Sequence, residues 1–142
     1  MKKIIYTIIL VVSSLFVNAQ TWSELGGLNS LGEDTLIYSV CSDTTGNIYA
    51  AGRFLNASGN RYVAMWNGST WSEVGGLNAL AANGDIRSLH IDVSGNLYAG
   101  GYFKNSSGNW YVAKWDGTSW SELGAGLYPL VANSAILCVN SD

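Results

Sequence analysis

One histidine, two cysteines and ten carboxylates are the side chains of this 142-residue chain suited to acid–base, nucleophilic or metal chemistry. His90 would need a carboxylate or thiolate constellation to act as a ligand or a base. Its nearest neighbours in register are Asp85 and Arg87, so it reads as a polar residue lining a channel. Asp43 and Asp92 invite a calcium reading, which needs a series of alternating oxygens. Each is followed instead by a turn, Asp43-Thr-Thr-Gly46-Asn47 and Asp92-Val-Ser-Gly95-Asn96, where aspartate caps a hairpin through the local backbone. Asn56-Ala-Ser58, Asn67-Gly-Ser69 and Asn105-Ser-Ser107 match the N-glycosylation pattern but read as turn chemistry. Ser72-Glu73 and Ser121-Glu122 set a hydroxyl beside a carboxylate, and their recurrence makes them structural rather than catalytic. No residue is therefore assigned a catalytic, cofactor-binding or metal role. The chain reads as a non-enzyme with no cofactor.

The elements that position these residues are repeats. Trp22 to Thr70 returns without a gap as Trp71 to Ser119, with just over half of the positions identical, and a third copy opens at Trp120. A ~49-residue period denotes stacked supersecondary units. In the second copy, Ile86 to Ile91 alternates as a half-buried strand does. After the Asp92 turn, Leu97 to Phe103 is almost wholly apolar, as befits a strand covered on both faces. Asn105 to Asn109 is a polar loop, and Trp110 to Trp115 is a third strand rich in aromatic and β-branched residues. Asp116-Gly117, matched by Asn67-Gly68, predicts a tight hairpin into a fourth strand, Trp120 to Leu123. No 3.6-residue period interrupts this pattern, so each repeat is a four-stranded antiparallel meander and the fold class is all-β.

Large aromatic rings recur in every copy, and a lone sheet would leave one face of them wet. Stacked meanders cover both faces, which is the arrangement of β-propeller blades. Gly52, Gly100 and Gly101 mark where a blade bends or lies against its neighbour. The run Leu97-Tyr-Ala-Gly-Gly101, followed by Trp115 and Trp120, resembles a kelch-type repeat. The likeness extends over Trp22 to Asp142 and is to galactose-oxidase-central-domain-like propeller repeats of secreted bacterial surface proteins. The hairpin between the two tryptophans is shorter than is usual for kelch, and the first copy carries Ala51-Gly52 in place of the diglycine. Asp116-Gly-Thr-Ser-Trp120 also resembles an Asp-box, one residue short and without the preceding Ser/Thr. The resemblance implies a propeller scaffold. Its oxidase branch uses a copper site of tyrosine, histidine and cysteine, which this stretch does not supply.

Positions where the copies differ are free to specialise or to drift. Tyr38 becomes Arg87, Arg53 becomes Tyr102, Leu55 becomes Lys104 and Arg61 becomes Trp110. Residues 53–61 and 102–110 surround the second-to-third-strand loop on one rim, where Tyr102 or Trp110 could stack on a sugar or anchor a protein. Cys41 aligns with His90, and Cys138 with Ser39 and Ser88, so the cysteines read as two buried core thiols rather than a framework bridge.

Residues 1–19 read as a secretory signal: Lys2 and Lys3, an apolar run from Ile4 to Phe16, and small residues before a cut at Gln20. Without Lys2 and Lys3 the net charge falls from −3 to −5, and no basic stripe exists for nucleic acid or anionic lipid. Residues 20–142 form a partial propeller: an outer strand at 21–26, blades at 36–75 and 85–124, and the first strand of another at 135–140. Rings need about 4–8 blades, so the ring is incomplete and the chain reads as the N-terminal part of a longer protein. The expected function is a secreted scaffold binding protein or glycan at the cell surface, with ligand residues left open. The alternative is a glycan-processing or oxidase propeller whose catalytic residues lie beyond Asp142.

Overall fold

The computed structural model describes Ser23, residues 25–27, Leu31, residues 36–126 and residues 130–140. The expected signal peptide and half of the expected opening strand (residues 21, 22 and 24) fall outside the described residues, and Leu25 and Gly26 of that strand lie in a turn instead. Within them the chain forms two four-stranded antiparallel sheets and no helix. The first comprises β1 (Ile37–Ser42), β2 (Ile48–Leu55), β3 (Arg61–Trp66) and β4 (Trp71–Glu73). The second comprises β5 (Ile86–Ile91), β6 (Leu97–Gly101), β7 (Ala113–Trp115) and β8 (Trp120–Glu122). Each strand pairs only with its neighbours in sequence, so both copies are meanders.

Two glycines let the first strand of each sheet come close to the second. A Cβ on Gly52 would stand 1.8 Å from the Leu36 carbonyl oxygen, and one on Gly101 would stand 2.1 Å from that of Asp85. At the same places the register slips, between Ile37 and Ser39 in one sheet and between Ile86 and Ser88 in the other. Only a residue without a side chain admits this approach. Gly100, on the opposite face, lies under Ile136.

The sheets stack. Ile86, Leu89, Leu97, Ala99, Phe103 and Ala113 share one buried core with Ala51, Val63 and Val74 of the first sheet and Ala82 of the connecting link. Within each sheet a phenylalanine meets a tyrosine edge-on, Phe54 with Tyr62 at 4.9 Å and Phe103 with Tyr111 at 5.0 Å. Equivalent apolar residues differ in burial according to what lies against them. Leu89 is 7% exposed while Val40 is 59%, and Val74 is 5% exposed while Leu123 is 42%. The loss of polar alternation in the sequence thus corresponds to a face that becomes dry once a second sheet covers it.

Polar ties cross the joint at repeat-equivalent places. The Leu89 amide donates to Ser39 Oγ at 2.9 Å, and the Val139 amide to Ser88 Oγ at 3.0 Å. At the outer edge, Trp71 Nε1 donates to the Leu25 carbonyl (2.8 Å) and Trp120 Nε1 to that of Val74 (3.1 Å). Buried polar groups need partners, and serine and tryptophan supply them here without adding charge.

Four expectations are corrected. The strand expected over 97–103 ends at Gly101, and the one expected from Trp110 starts at Ala113. The ladder that joins Leu55 to Arg61 in the first copy survives in the second only as an isolated bridge between Lys104 and Trp110. Residues 135–140 form no strand, because no described segment ladders with them; Ile136 only donates its amide to the Gly101 carbonyl, at 3.1 Å. The thiols are not buried core: Cys41 is half-buried and Cys138 exposed, and both are free. Cys138 occupies the serine position of the polar tie just described, on a segment covered from one side.

Candidate functional site

Most of the candidate residues serve the turns. Asp43 accepts hydrogen bonds from the Thr45 and Asn47 amides, the Thr45 hydroxyl, Asn47 Nδ2 and the Tyr49 hydroxyl, all at 2.7–3.0 Å. Asp92 repeats this with Ser94, Asn96 and Tyr98. Desolvation works against the Asp43 carboxylate, but the donors of Thr45, Asn47 and Tyr49 outweigh it and hold the group well below its usual range. The Asn96 side chain leads the donors that hold Asp92 down to about 2. Burial, followed by the adjacent Asp43, pushes Tyr49 up to about 12 and Cys41 up to about 11. Lone pairs committed to local donors are not offered to a cation, so the hairpin-cap reading holds for both aspartates.

The asparagines of the glycosylation pattern are equally committed. Asn56 Oδ1 accepts from the Ser58 and Asn60 amides, and Asn105 Oδ1 from those of Ser107 and Asn109, at 3.0–3.1 Å. Their amide nitrogens donate to Glu73 and Glu122, at 3.0 and 2.9 Å. Asn67 accepts from the Ser69 and Thr70 amides. The carboxylates of the Ser-Glu pairs therefore brace loops. Beside them lie two equivalent clefts, one of about 380 Å³ including Tyr62, Trp71 and Glu73 and one of about 260 Å³ including Tyr111, Trp120 and Glu122. His90 lies half-buried on β5 and lines a separate hollow with Tyr98, Val112, Leu123 and Cys138.

The residues that break the repeat meet at the joint between the sheets. Asp85, immediately before β5, is the hub. Arg61 Nε lies 3.1 Å from its Oδ1, while Arg87 Nη2 and Arg53 Nε lie 3.4 and 3.7 Å from its Oδ2. These are the three arginines of the chain. Arg53 lies near the end of β2, Arg61 begins β3 and Arg87 sits in β5, so the stacking of one sheet on the other assembles the cluster. Arg87 lies against the Tyr38 ring, 3.8 Å from its centroid, and 5.0 Å from that of Tyr102. Tyr102 meets Trp110 edge-on at 6.1 Å, and Lys104 Nζ stands 4.5 Å over the Trp110 ring.

Gly84 makes the hub possible, since a Cβ there would lie 1.6 Å from the Tyr102 carbonyl. The Asp85 carbonyl then accepts the Tyr102 amide at 2.7 Å, which fixes Asp85 and Tyr102 relative to each other. Among the described residues, three guanidinium groups face one carboxylate, so the cluster carries an excess of positive charge. The site can hold a group of negative charge and present aromatic faces beside it. Not every changed position joins it: Met65/Lys114 and Cys41/His90 lie on parts of the sheets that the cluster does not touch.

The four changed pairs singled out in the sequence, Tyr38/Arg87, Arg53/Tyr102, Leu55/Lys104 and Arg61/Trp110, do not include Asp85. A signal for it was present. Leu36 stands at its place in the first copy, so a carboxylate enters the repeat in the same copy as Arg87. No family model, curated protein or solved structure matches the chain.

Proposed function

We propose that the chain is a secreted β-propeller repeat scaffold that binds protein or glycan at the cell surface, through the cluster around Asp85. Two sheets with the same turns and inter-sheet ties support reading them as successive blades. The signal-like start supports secretion. The observation that carries the binding reading is the convergence of Tyr38, Arg53, Arg61, Arg87, Tyr102 and Trp110 on one joint. Each departs from its counterpart in the other copy, and together they build one continuous surface of charge and rings.

Arg61 and Arg87 lie closest to the largely buried Asp85 carboxylate, whereas the exposed Arg53 reaches it only at 3.7 Å, where an ion pair contributes about 0–1 kcal/mol. The Arg53 donors therefore serve a ligand better than they serve stability. The test is a screen of the purified chain against glycan arrays and cell-surface protein panels, with Trp110→Ala alongside. Binding that falls at least tenfold in the variant, at an unchanged unfolding midpoint, supports the proposal. Failure to bind anything on either panel, or full binding by the variant, refutes it.

A further inference from the structure

We infer that the Asp85 cluster recognises an acidic sugar, a uronate or sulfated residue within a short glycan, with Arg53 and Arg87 taking the acid group and Tyr102 and Trp110 the ring. This rests on the binding reading above and narrows it to a ligand class.

Charge is the first argument. The chain is acidic overall, at −3, yet its three arginines stand at one place, and Lys104 lies over the Trp110 ring that Tyr102 meets. A local positive patch on an acidic body attracts a compact anion and repels a long polyanion that must also lie over the surrounding carboxylates. A single acid group on an otherwise neutral oligosaccharide fits that field better than an acidic protein face or a nucleic acid.

Geometry is the second. Guanidinium groups grip carboxylate or sulfate oxygens through paired N–H donors. Arg53 has its side chain 55% exposed and only a long, 3.7 Å contact with Asp85, so its donors face solvent. Arg87 is held flat by Tyr38 and Tyr102, so little rotamer freedom is lost when an anion arrives. Asp85 keeps the three guanidinium groups from splaying apart.

The third argument is the rings. Tyr102 is exposed and Trp110 half-buried, set edge to face beside the arginines. They offer an apolar surface with a polar handle next to the charge, the combination that a pyranose ring carrying an acid group presents in complement.

The test uses three immobilised probes: a galacturonic acid tetramer, a sulfated galactose tetramer and a neutral galactose tetramer. The full chain is measured at 50 and 500 mM NaCl, with Arg53→Gln and Trp110→Ala. At least one acidic probe should bind tenfold or more tighter than the neutral one, and binding should weaken at high salt. Arg53→Gln should erase the preference without moving the urea midpoint. Whichever acidic probe wins identifies carboxylate or sulfate as the source. Equal binding of acidic and neutral probes, or an unaffected Arg53→Gln, overturns the inference while leaving a glycan-binding scaffold. Competition by free inorganic sulfate as effective as by the sulfated tetramer also overturns it, because the site would then read an anion and no sugar. Protein binding sensitive to Trp110→Ala with no glycan bound overturns the inference but not the scaffold. Silence on every probe and panel overturns both.

Discussion

Gly100 and Gly101 are adjacent on β6 and point to opposite faces, which makes them a matched pair for testing how the sheet is assembled. Replacing Gly101 by alanine places a Cβ 2.1 Å from the Asp85 carbonyl oxygen and 2.9 Å from Ile86 Cα, both backbone atoms. Ordinary carbon–oxygen contact would require β5 to retreat by roughly 1 Å, against a dry core that includes Ile86 and Leu89. Overpacking of this kind costs about 1–3 kcal/mol, and a backbone clash belongs at the upper end. In Gly100→Ala the new Cβ meets Ile136 Cγ2 at 2.7 Å, the end of a side chain on a segment covered from one side only. Ile136 Cβ and its carbonyl oxygen also lie close, at 3.1 and 3.3 Å, so relief comes from a small outward shift of this one-sided segment, at an expected cost of about 1 kcal/mol or less. With an urea m-value of about 1–3 kcal/mol/M, Gly101→Ala should lower the unfolding midpoint by on the order of 1 M and Gly100→Ala by a fraction of that. Tryptophan fluorescence reports the transition. Equal midpoints for the two variants, or a neutral Gly101→Ala, would refute the close approach of β5 and β6 as the reason for the glycine.

Two further outcomes follow from the polar ties and the turns. Trp120→Phe keeps a ring at the outer edge but removes the donor to the Val74 carbonyl; it should cost about 0.5–1.5 kcal/mol, and an unchanged urea midpoint would show that the tie is idle. Asp92 is held at about 2 in the folded chain, below its unfolded value of about 3.9. Its contribution is therefore complete above pH ~4 and is lost as pH falls towards 2. Thermal melts between pH 2 and 6 should show Asp92→Asn flattening that acid slope, and a variant with the same slope as the parent would contradict the assignment.

How much of this was legible depended on what each residue needs. Asp43 and Asp92 act on donors within six residues, so a local reading places them correctly. Asn56 and Asn105 were legible for the same reason. Strand ends were less so, because the apolar run continues through Tyr102 and Phe103 after the ladder has ended, and hydropathy does not reveal where pairing stops. Cys138 read as a buried thiol because the two cysteines hold different repeat positions and so did not suggest a framework bridge; its exposure depends on what lies against residues 135–140, which no property of the cysteine encodes. Asp85 was the largest omission. Two of its three partners, Arg53 and Arg61, lie 32 and 24 positions away on the other sheet, and only the stacking of the sheets brings them to it.

The outer tryptophan tie also has a consequence in time. The Val74 carbonyl and the indole it awaits are 46 residues apart. At a synthesis rate of ~5–20 residues per second, that oxygen stays with water for about 2–9 s before its donor has been made. The buried faces of Val63 and Val74 wait for Leu89 and Leu97 on a similar clock. Each sheet, as it leaves the ribosome, thus spends seconds as an unfinished surface, and the speed of translation becomes a variable in whether the two halves of the joint find each other or another chain.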